Sequence, residues 1–400
     1  VTALPVATSG DPSPAPPPAH ALLLACARAA FDAEGAGAGV SDALDTGVEW
    51  DAFLALAERN RLLPLAHRVL AEEEERVPAT VRSRLRSAYA ANARHALALS
   101  GELRRLMDAL HAEGIPALAY KGPALAVRAY GHLALRTYSD LDLLVAPVDQ
   151  PAAARVLRAH GYVCAYDFTP AQEAAFRAVD GDYPFHHPDG GELVELHVRA
   201  SSHRFCVELP AEAMIARARP VPIGGGDVPA PADDDLFLAL CLHGAKHRWM
   251  RLEWLACAAA LRVRGALDPS SLLRRATEIG ARRTALLALL LMRGAFDLPL
   301  PPEADRSVSG DAGLRALADE ARGLWFAQGA DEAETTPANL RFNARLREGA
   351  ADRARYAARW LFAPSPEDWA WVRLPDALAP LYHVLRPLRL AVRYRPGRRP

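Results

Sequence analysis

The sequence predicts an α+β protein that is mostly helical, with a small mixed sheet embedded between N- and C-terminal helical regions. Three observations predict it. Apolar residues recur at three-to-four spacing from about Ala21 to Leu110 and again from residue 231 onward. Between those regions, short apolar or alternating runs are bounded by Gly and Pro. Hydrophobic residues make up 51% of the 400, enough to bury a sizeable core. The expected organisation is a disordered Pro/Ala-rich tail over 1–20, a helical region over 21–112, an α+β core over 113–230 and a helical domain over 231–400.

Each element has its own signal. Ala52–Ala57, Leu62, Leu63, Leu65, Ala66, Val69 and Leu70 form a helical stripe that Pro64 breaks or kinks. A long helix is expected from Val81 to about His111, with Leu85, Tyr89, Leu97, Leu99, Leu103, Leu106 and Leu110 facing the core. The period changes at Gly114. Ile115–Tyr120 reads as a short buried strand, Lys121-Gly122-Pro123 as a turn, and Ala124–Tyr130 as a helix closed by Gly131. Tyr138–Val145 reads as a second strand ended by Pro147, and Gln150–His160 as a helix. Leu193–Val198 is a further strand, following a hairpin tip at Pro188-Asp189-Gly190-Gly191. Asp233-Asp234-Asp235 mark a helix start, because carboxylates suit the orphan amides and the positive dipole end. Mostly helices follow, with loops expected at 297–311 and 328–340.

Composition narrows the function classes. The 47 basic and 48 acidic residues give a net charge of -1, so no whole-molecule field gathers nucleic acid or anionic membrane. Only Lys121 and Lys246 among the 47 basic residues are lysine. Five cysteines without a C-x-x-C pair argue against a disulfide framework or a thiolate zinc site. The first residues lack a basic stretch followed by an apolar one, and the longest apolar run, Ala285–Met292, is far short of a bilayer span. A soluble cytoplasmic protein without membrane contact is expected.

The chemistry concentrates between residues 121 and 197. Asp140 and Asp142 stand two apart on a strand and therefore share a face, opposite Leu141, Leu143 and Val145. Paired carboxylates repel unless a cation sits between them, and hard oxygens at this spacing suit Mg²⁺. A solvated edge strand with two exposed acids is the plainer alternative. Lys121-Gly122-Pro123 leads into a helix whose first amides can meet phosphate, and Lys121 and Arg136 could each add a charge. Glu195 and His197 share one face of their strand, which makes Glu195 a candidate third carboxylate or an outward polar residue.

The run KGPALAVRAYGHLALRTYSDLDLLVAP, followed by HGYV, resembles the core of the polymerase-beta-like nucleotidyltransferase superfamily. More narrowly, the chain resembles a family of uncharacterised bacterial nucleotidyltransferases. That likeness runs from VEWDAFLALAERNRLLPLAHRVL through K-G, R-x-x-S-D-x-D-L-L, E-L-H and H-G-A-K-H-R-W to LYHVLRPLRLAVRY, about residues 48–395. It implies transfer of a nucleotidyl group from an NTP to an acceptor, dependent on Mg²⁺ or Mn²⁺. Asp140, Asp142 and Glu195 would be the catalytic and metal-binding acids. Lys121, Gly122, Arg136, Ser139, His197, His243, Lys246 and His247 would contact nucleotide and phosphates. The chain has Lys-Gly where many superfamily members have Gly-Ser, and Cys257-Ala258 where the narrower family often has an aspartate.

Two basic segments keep several readings. His243, Lys246 and His247 share a helix face, as a cationic wall toward phosphates, a half-buried polar stripe or, without a third ligand, a zinc pair. Trp249 and Trp254 read as core. Arg386, Arg389, Arg393, Arg395, Arg398 and Arg399, with Tyr394 between them, read as a solvated helix face with a frayed end, or as an RNA contact. The acceptor is accordingly expected to be a small molecule or peptide-derived group, with modification of tRNA or protein, or nucleotide binding without catalysis, as alternatives.

Overall fold

The computed structural model describes residues 17–31, 36–190, 193–327 and 336–393. Segment 1–16 and Arg395, Arg398 and Arg399 lie outside these residues. The first helix, Pro18–Ala29, starts inside the stretch read as an unstructured tail, with Pro18 in its first turn, where a missing amide costs nothing. Helices Trp50–Arg59 and Leu63–Leu70 follow, and Pro64 opens the second of them. The long helix is Ala79–Ala112.

The sheet is mixed and five-stranded: β1 (Ala117–Ala119), β2 (Asp140–Val145), β3 (Val163–Cys164), β4 (Asp182–His186) and β5 (Leu193–His197), in the order β1-β2-β5-β4-β3. Only the central pair, β2 with β5, is parallel. Between β1 and β2 runs helix Gly122–Tyr130, ended by Gly131 at φ +70°. Hairpin strands β6 (Arg219–Ile223) and β7 (Gly226–Ala230) pack beside the sheet, and helix Asp233–Lys246 follows.

Side-chain periodicity places two cores. Leu141, Leu143, Val145, Val194 and Leu196 bury one face of the sheet against the long helix from Ala96 to Leu110. The stripe there is Ala96, Leu99, Leu103, Leu106, Met107 and Leu110. Leu97, expected in it, is 69% exposed, because two residues from Leu99 is about 200° around a helix. The other core joins the N-terminal helices to helices between Asp233 and Leu346, and Val81 and Leu85 carry the long helix into it. The long helix thus belongs to both.

The aspartates of 233–235 lie in the first helical turn, after Ala232, and each also anchors an arginine from another element. Asp233 accepts from Arg128 Nε at 2.7 Å, Asp234 from Arg217 at 2.5 Å, and fully buried Asp235 from Arg275. Segment 297–311, expected as a loop, contains helix Pro302–Ser309. Only Ala304 and Val308 are buried there, too thin a stripe to show in sequence. Helix Pro337–Arg345 likewise begins inside the expected 328–340 loop, of which 328–335 lie outside the described residues. Arg386 and Arg389 are neither solvated nor offered to RNA. Both are turned inward onto buried Asp368, Arg386 at 2.7 Å. No helix among the described residues is long and apolar enough to cross a membrane.

Candidate active site

β2 is central, not an edge strand, so its acids are held from both sides. In the parallel register Asp142 lies directly opposite Glu195. Asp140, two residues earlier, and His197, two residues later on β5, occupy the same face. Antiparallel pairing then sets Asp182 of β4 opposite His197. Helix Asp233–Lys246 crosses this face. Ala239 and Leu242 pack with Leu118, Tyr120 and Leu144, and His243 and Lys246 lie one turn further along.

The contacts are close. Lys121 Nζ donates to Asp142 Oδ1 at 2.7 Å. His197 bonds Asp142 Oδ1 through Nε2 at 2.9 Å and Asp182 Oδ1 through Nδ1 at 3.0 Å, and its Nε2 lies 3.3 Å from Glu195 Oε2. Burial alone would lower the pKa of His197, but Asp182, Asp142 and Glu195 raise it well above its ordinary value. Burial would raise Asp142, yet Lys121 and His197 hold it well below the ordinary carboxylate range. Asp140 is pushed up by burial and by the like charges of Asp142 and Glu195. Burial would lower Lys121, and Asp142 and Glu195 overcome that and raise it.

This donor set suits a hard divalent cation. Asp142, Glu195 and His197 offer ligand atoms that all lie within 4.8 Å of one another, the only such group among the described residues. Asp140 adds a third carboxyl whose ionisation the other two disfavour, a repulsion that a bound cation would relieve. Two carboxylates and one imidazole, with no thiolate, are a donor set that can hold a divalent cation.

The other expected residues spread around this cluster. Gly122 has φ +51°, and a Cβ there would lie 3.5 Å from the Asp140 carbonyl oxygen, so a left-handed glycine carries the chain past β2 into the helix. No side chain caps that helix start. Ser139 is exposed, just before β2. Arg136 is buried and paired with Glu253 at 2.9 Å. The His243 and His247 rings stand 4.8 Å apart, and both pack on Trp254. Burial and the nearby Lys121 push His243 well below its ordinary pKa, so it is neutral and Lys246 supplies the charge of that helix face. Among the described residues no third ligand joins the two histidines. Cys257 faces the Tyr130 hydroxyl at 3.5 Å inside the helical core.

Three residues that sequence reasoning did not single out belong here. Asp182 completes the His197 contacts, and only the β4–β5 register reveals it. Arg61 has a left-handed backbone, φ +55°, at the hinge between helices Trp50–Arg59 and Leu63–Leu70. Burial, then Arg251 and Arg136, depress its pKa, against the pull of Glu253 and Asp140. Arg251, Glu253, Arg136 and Asp140 thus all lie within electrostatic reach of Arg61. No local pattern marks a hinge arginine as part of a distant site.

No curated protein matches the chain. A family model described as an uncharacterised nucleotidyltransferase does match, over residues 46–297, more than half the chain. The match takes in the Arg61 hinge, all the acids of the sheet and the helix that crosses them, and the chain is thus an enzyme belonging to this nucleotidyltransferase family.

Proposed function

We propose that the protein moves a nucleoside monophosphate from an NTP to a small-molecule or peptide-derived acceptor, releasing pyrophosphate, with a divalent cation, Mg²⁺ or Mn²⁺, at Asp140, Asp142 and Glu195. The observation that carries this reading is the parallel β2–β5 register, which sets Asp142 against Glu195 with Asp140 on the same face. When bound, the cation would supply Lewis-acid stabilisation of charge on the phosphates. The remaining roles fall to the chain. Lys121, Gly122 and the uncapped helix start receive phosphate oxygens, and Arg136, Arg61 and Arg251 add positive charge beside them. His243, Lys246 and His247 line the opposite wall, and Ser139 the entrance. Glu195 takes the acceptor proton as the acceptor oxygen or nitrogen bonds to the α-phosphorus. The bond to the bridging oxygen breaks, and its electron pair leaves with pyrophosphate. His197, held by Asp182, keeps the acid cluster aligned.

The small-acceptor reading is favoured over RNA because Arg386 and Arg389 are committed to Asp368. The cytoplasm, where NTPs are abundant, is the compartment this chemistry fits. The test incubates full-length protein with Mg²⁺, each α-labelled NTP and fractionated cell extract, and follows the label. Transfer into the small-molecule fraction is expected, with a loss of about a thousand-fold or more in Asp140→Ala/Asp142→Ala. Label in tRNA or protein would replace the acceptor class. Undiminished transfer by the double variant would overturn the metal assignment.

A further inference from the structure

The C-terminal helix Tyr382–Arg393 is amphipathic, and it sits inside out. Arg386 and Arg389 face inward, onto buried Asp368 in helix Pro366–Trp371. The apolar side faces outward. Leu381, just before the helix, and Val384, Leu388 and Val392 along it are each at least 48% exposed. At the helical period these four fall within an arc of about 80°, one continuous stripe. The exposed side chains from Leu381 to Val392 include a single polar one, His383, and its Nδ1 bonds the Phe362 carbonyl at 2.9 Å.

The stripe belongs to a wider patch. Among the described residues, eight of the thirteen large hydrophobic side chains that are exposed lie between Leu361 and Val392, Phe362 and Trp371 among them. Single apolar side chains scattered over a surface are ordinary, whereas this concentration in one short stretch marks an interaction surface.

The same stretch is positive. Residues 351–400 hold ten arginines and four acids, and residues 1–350 hold 37 basic and 44 acidic residues. The net charge of -1 therefore conceals +6 in the C-terminal segment against -7 in the rest. This is a net count, in which each acid of the segment already cancels an arginine. Helices Pro170–Val179 and Pro337–Arg345 and the turn His203–Phe205 pack against the segment. Together with Asp180 they add four arginines and two acids, so the excess stands.

These two properties select the partner. Protein interfaces carry about one hydrogen bond per 100–200 Å², and the stripe offers almost no group to make one. A second copy would bring one positive segment against another. An anionic lipid surface meets both conditions. Hydrocarbon asks for no hydrogen bonds, acidic headgroups answer the arginines, and rings such as Trp371 and Phe362 suit the boundary between them. We infer that the C-terminal face docks on an anionic membrane, with helix Tyr382–Arg393 in the plane of the leaflet and its outward stripe in the headgroup–acyl boundary. Such docking needs no membrane-crossing helix. It is independent of the nucleotidyl-transfer reading.

The test floats full-length protein with vesicles of phosphatidylcholine alone and of equimolar phosphatidylcholine and phosphatidylglycerol, at low and high salt. At low salt, binding to the anionic vesicles should exceed binding to the neutral ones about ten-fold or more, and it should weaken as salt is raised. Val384→Asp/Leu388→Asp should lower it about ten-fold or more. Both side chains are exposed, so circular dichroism should stay that of wild type. Brominated acyl chains should quench the tryptophan fluorescence of the bound protein, and quench Trp371→Phe less. No binding to anionic vesicles, equal binding to both kinds, binding undiminished in the double variant, or quenching unchanged in Trp371→Phe would overturn the inference. A dimer in sedimentation that the double variant abolishes, without vesicle binding, would overturn it in favour of a second copy.

Discussion

Lys121 meets Asp142 with its side chain 13% exposed and its ammonium 5.2 Å from the centre of the Tyr120 ring. A compact ammonium fits such a contact, whereas a planar guanidinium needs a fork of acceptors and more room. Lys121→Arg is therefore expected to lower kcat about ten-fold or more while the fold is kept, as steady-state kinetics and circular dichroism would show. Wild-type rates and substrate affinity in that variant would refute it. At this scale the acids were legible, because Asp140 and Asp142 must share a face and so must Glu195 and His197. Asp182 was not, because its place opposite His197 depends on an antiparallel pairing that no neighbouring residue encodes. The arginines differ among themselves. Arg136 was noticed from its place four residues before Asp140, whereas its partner Glu253, more than a hundred residues away, left no signal. The outward reading of Arg386 and Arg389 failed because their acid, Asp368, is itself buried in an earlier helix, Pro366–Trp371.

Helix Asp233–Lys246 has two jobs on two faces. His243 and Lys246 face the acids, whereas Gly244 lets the chain double back: a Cβ at that position would sit 2.5 Å from the Trp249 ring. The return passes through left-handed Arg248 and Trp249, and the Trp249 carbonyl accepts from Trp325 Nε1 at 2.6 Å. Gly244→Ala should cost about 1–3 kcal/mol by overpacking, measured by urea denaturation. A stability equal to wild type would mean that Trp249 can move aside freely. A second element is held by one carboxylate. Burial would raise the pKa of Asp368, but Arg386 and Arg389 bring it below the ordinary 3.8. A depressed carboxylate pKa stabilises the fold above the unfolded value and loses that contribution as pH falls through the folded one. Asp368→Asn, which leaves two buried guanidiniums short of charge, should cost about 3–5 kcal/mol at neutral pH. Its stability should also fall less steeply than wild type below about pH 4, in an acid titration followed by tryptophan fluorescence. Parallel acid limbs for the two proteins would sink this assignment.

At the scale of the whole molecule, one helix belongs to two cores. Ala79–Ala112 contributes Val81 and Leu85 to the helical core and Ala96 to Leu110 to the sheet core, and N-terminal helices meet helices between Asp233 and Leu346 in the first of these. Neither core can be lost without exposing part of the same helix, so calorimetry should show a single main unfolding transition. Two well-separated transitions would show that the helix can fray at its middle. The mixed sheet between helical regions was legible because hydrophobic period changes at Gly114 and again near Asp233. The sharing of a core by segments far apart in the chain was not, since periodicity shows that a face is buried and not what buries it.

Two lysines in 400 residues also make this chain nearly blank to amine chemistry. An acylating reagent finds two side-chain amines, and one of them is the ammonium clasped by Asp142. A protonated, carboxylate-bound amine is a poor nucleophile, so Lys121 should stay unmodified as long as Asp142 holds it. Any ion that draws Asp142 away would register as a single mass increment on one peptide. The contact that balances charge in the sheet thereby serves as a chemical gauge of which cation its carboxylate holds.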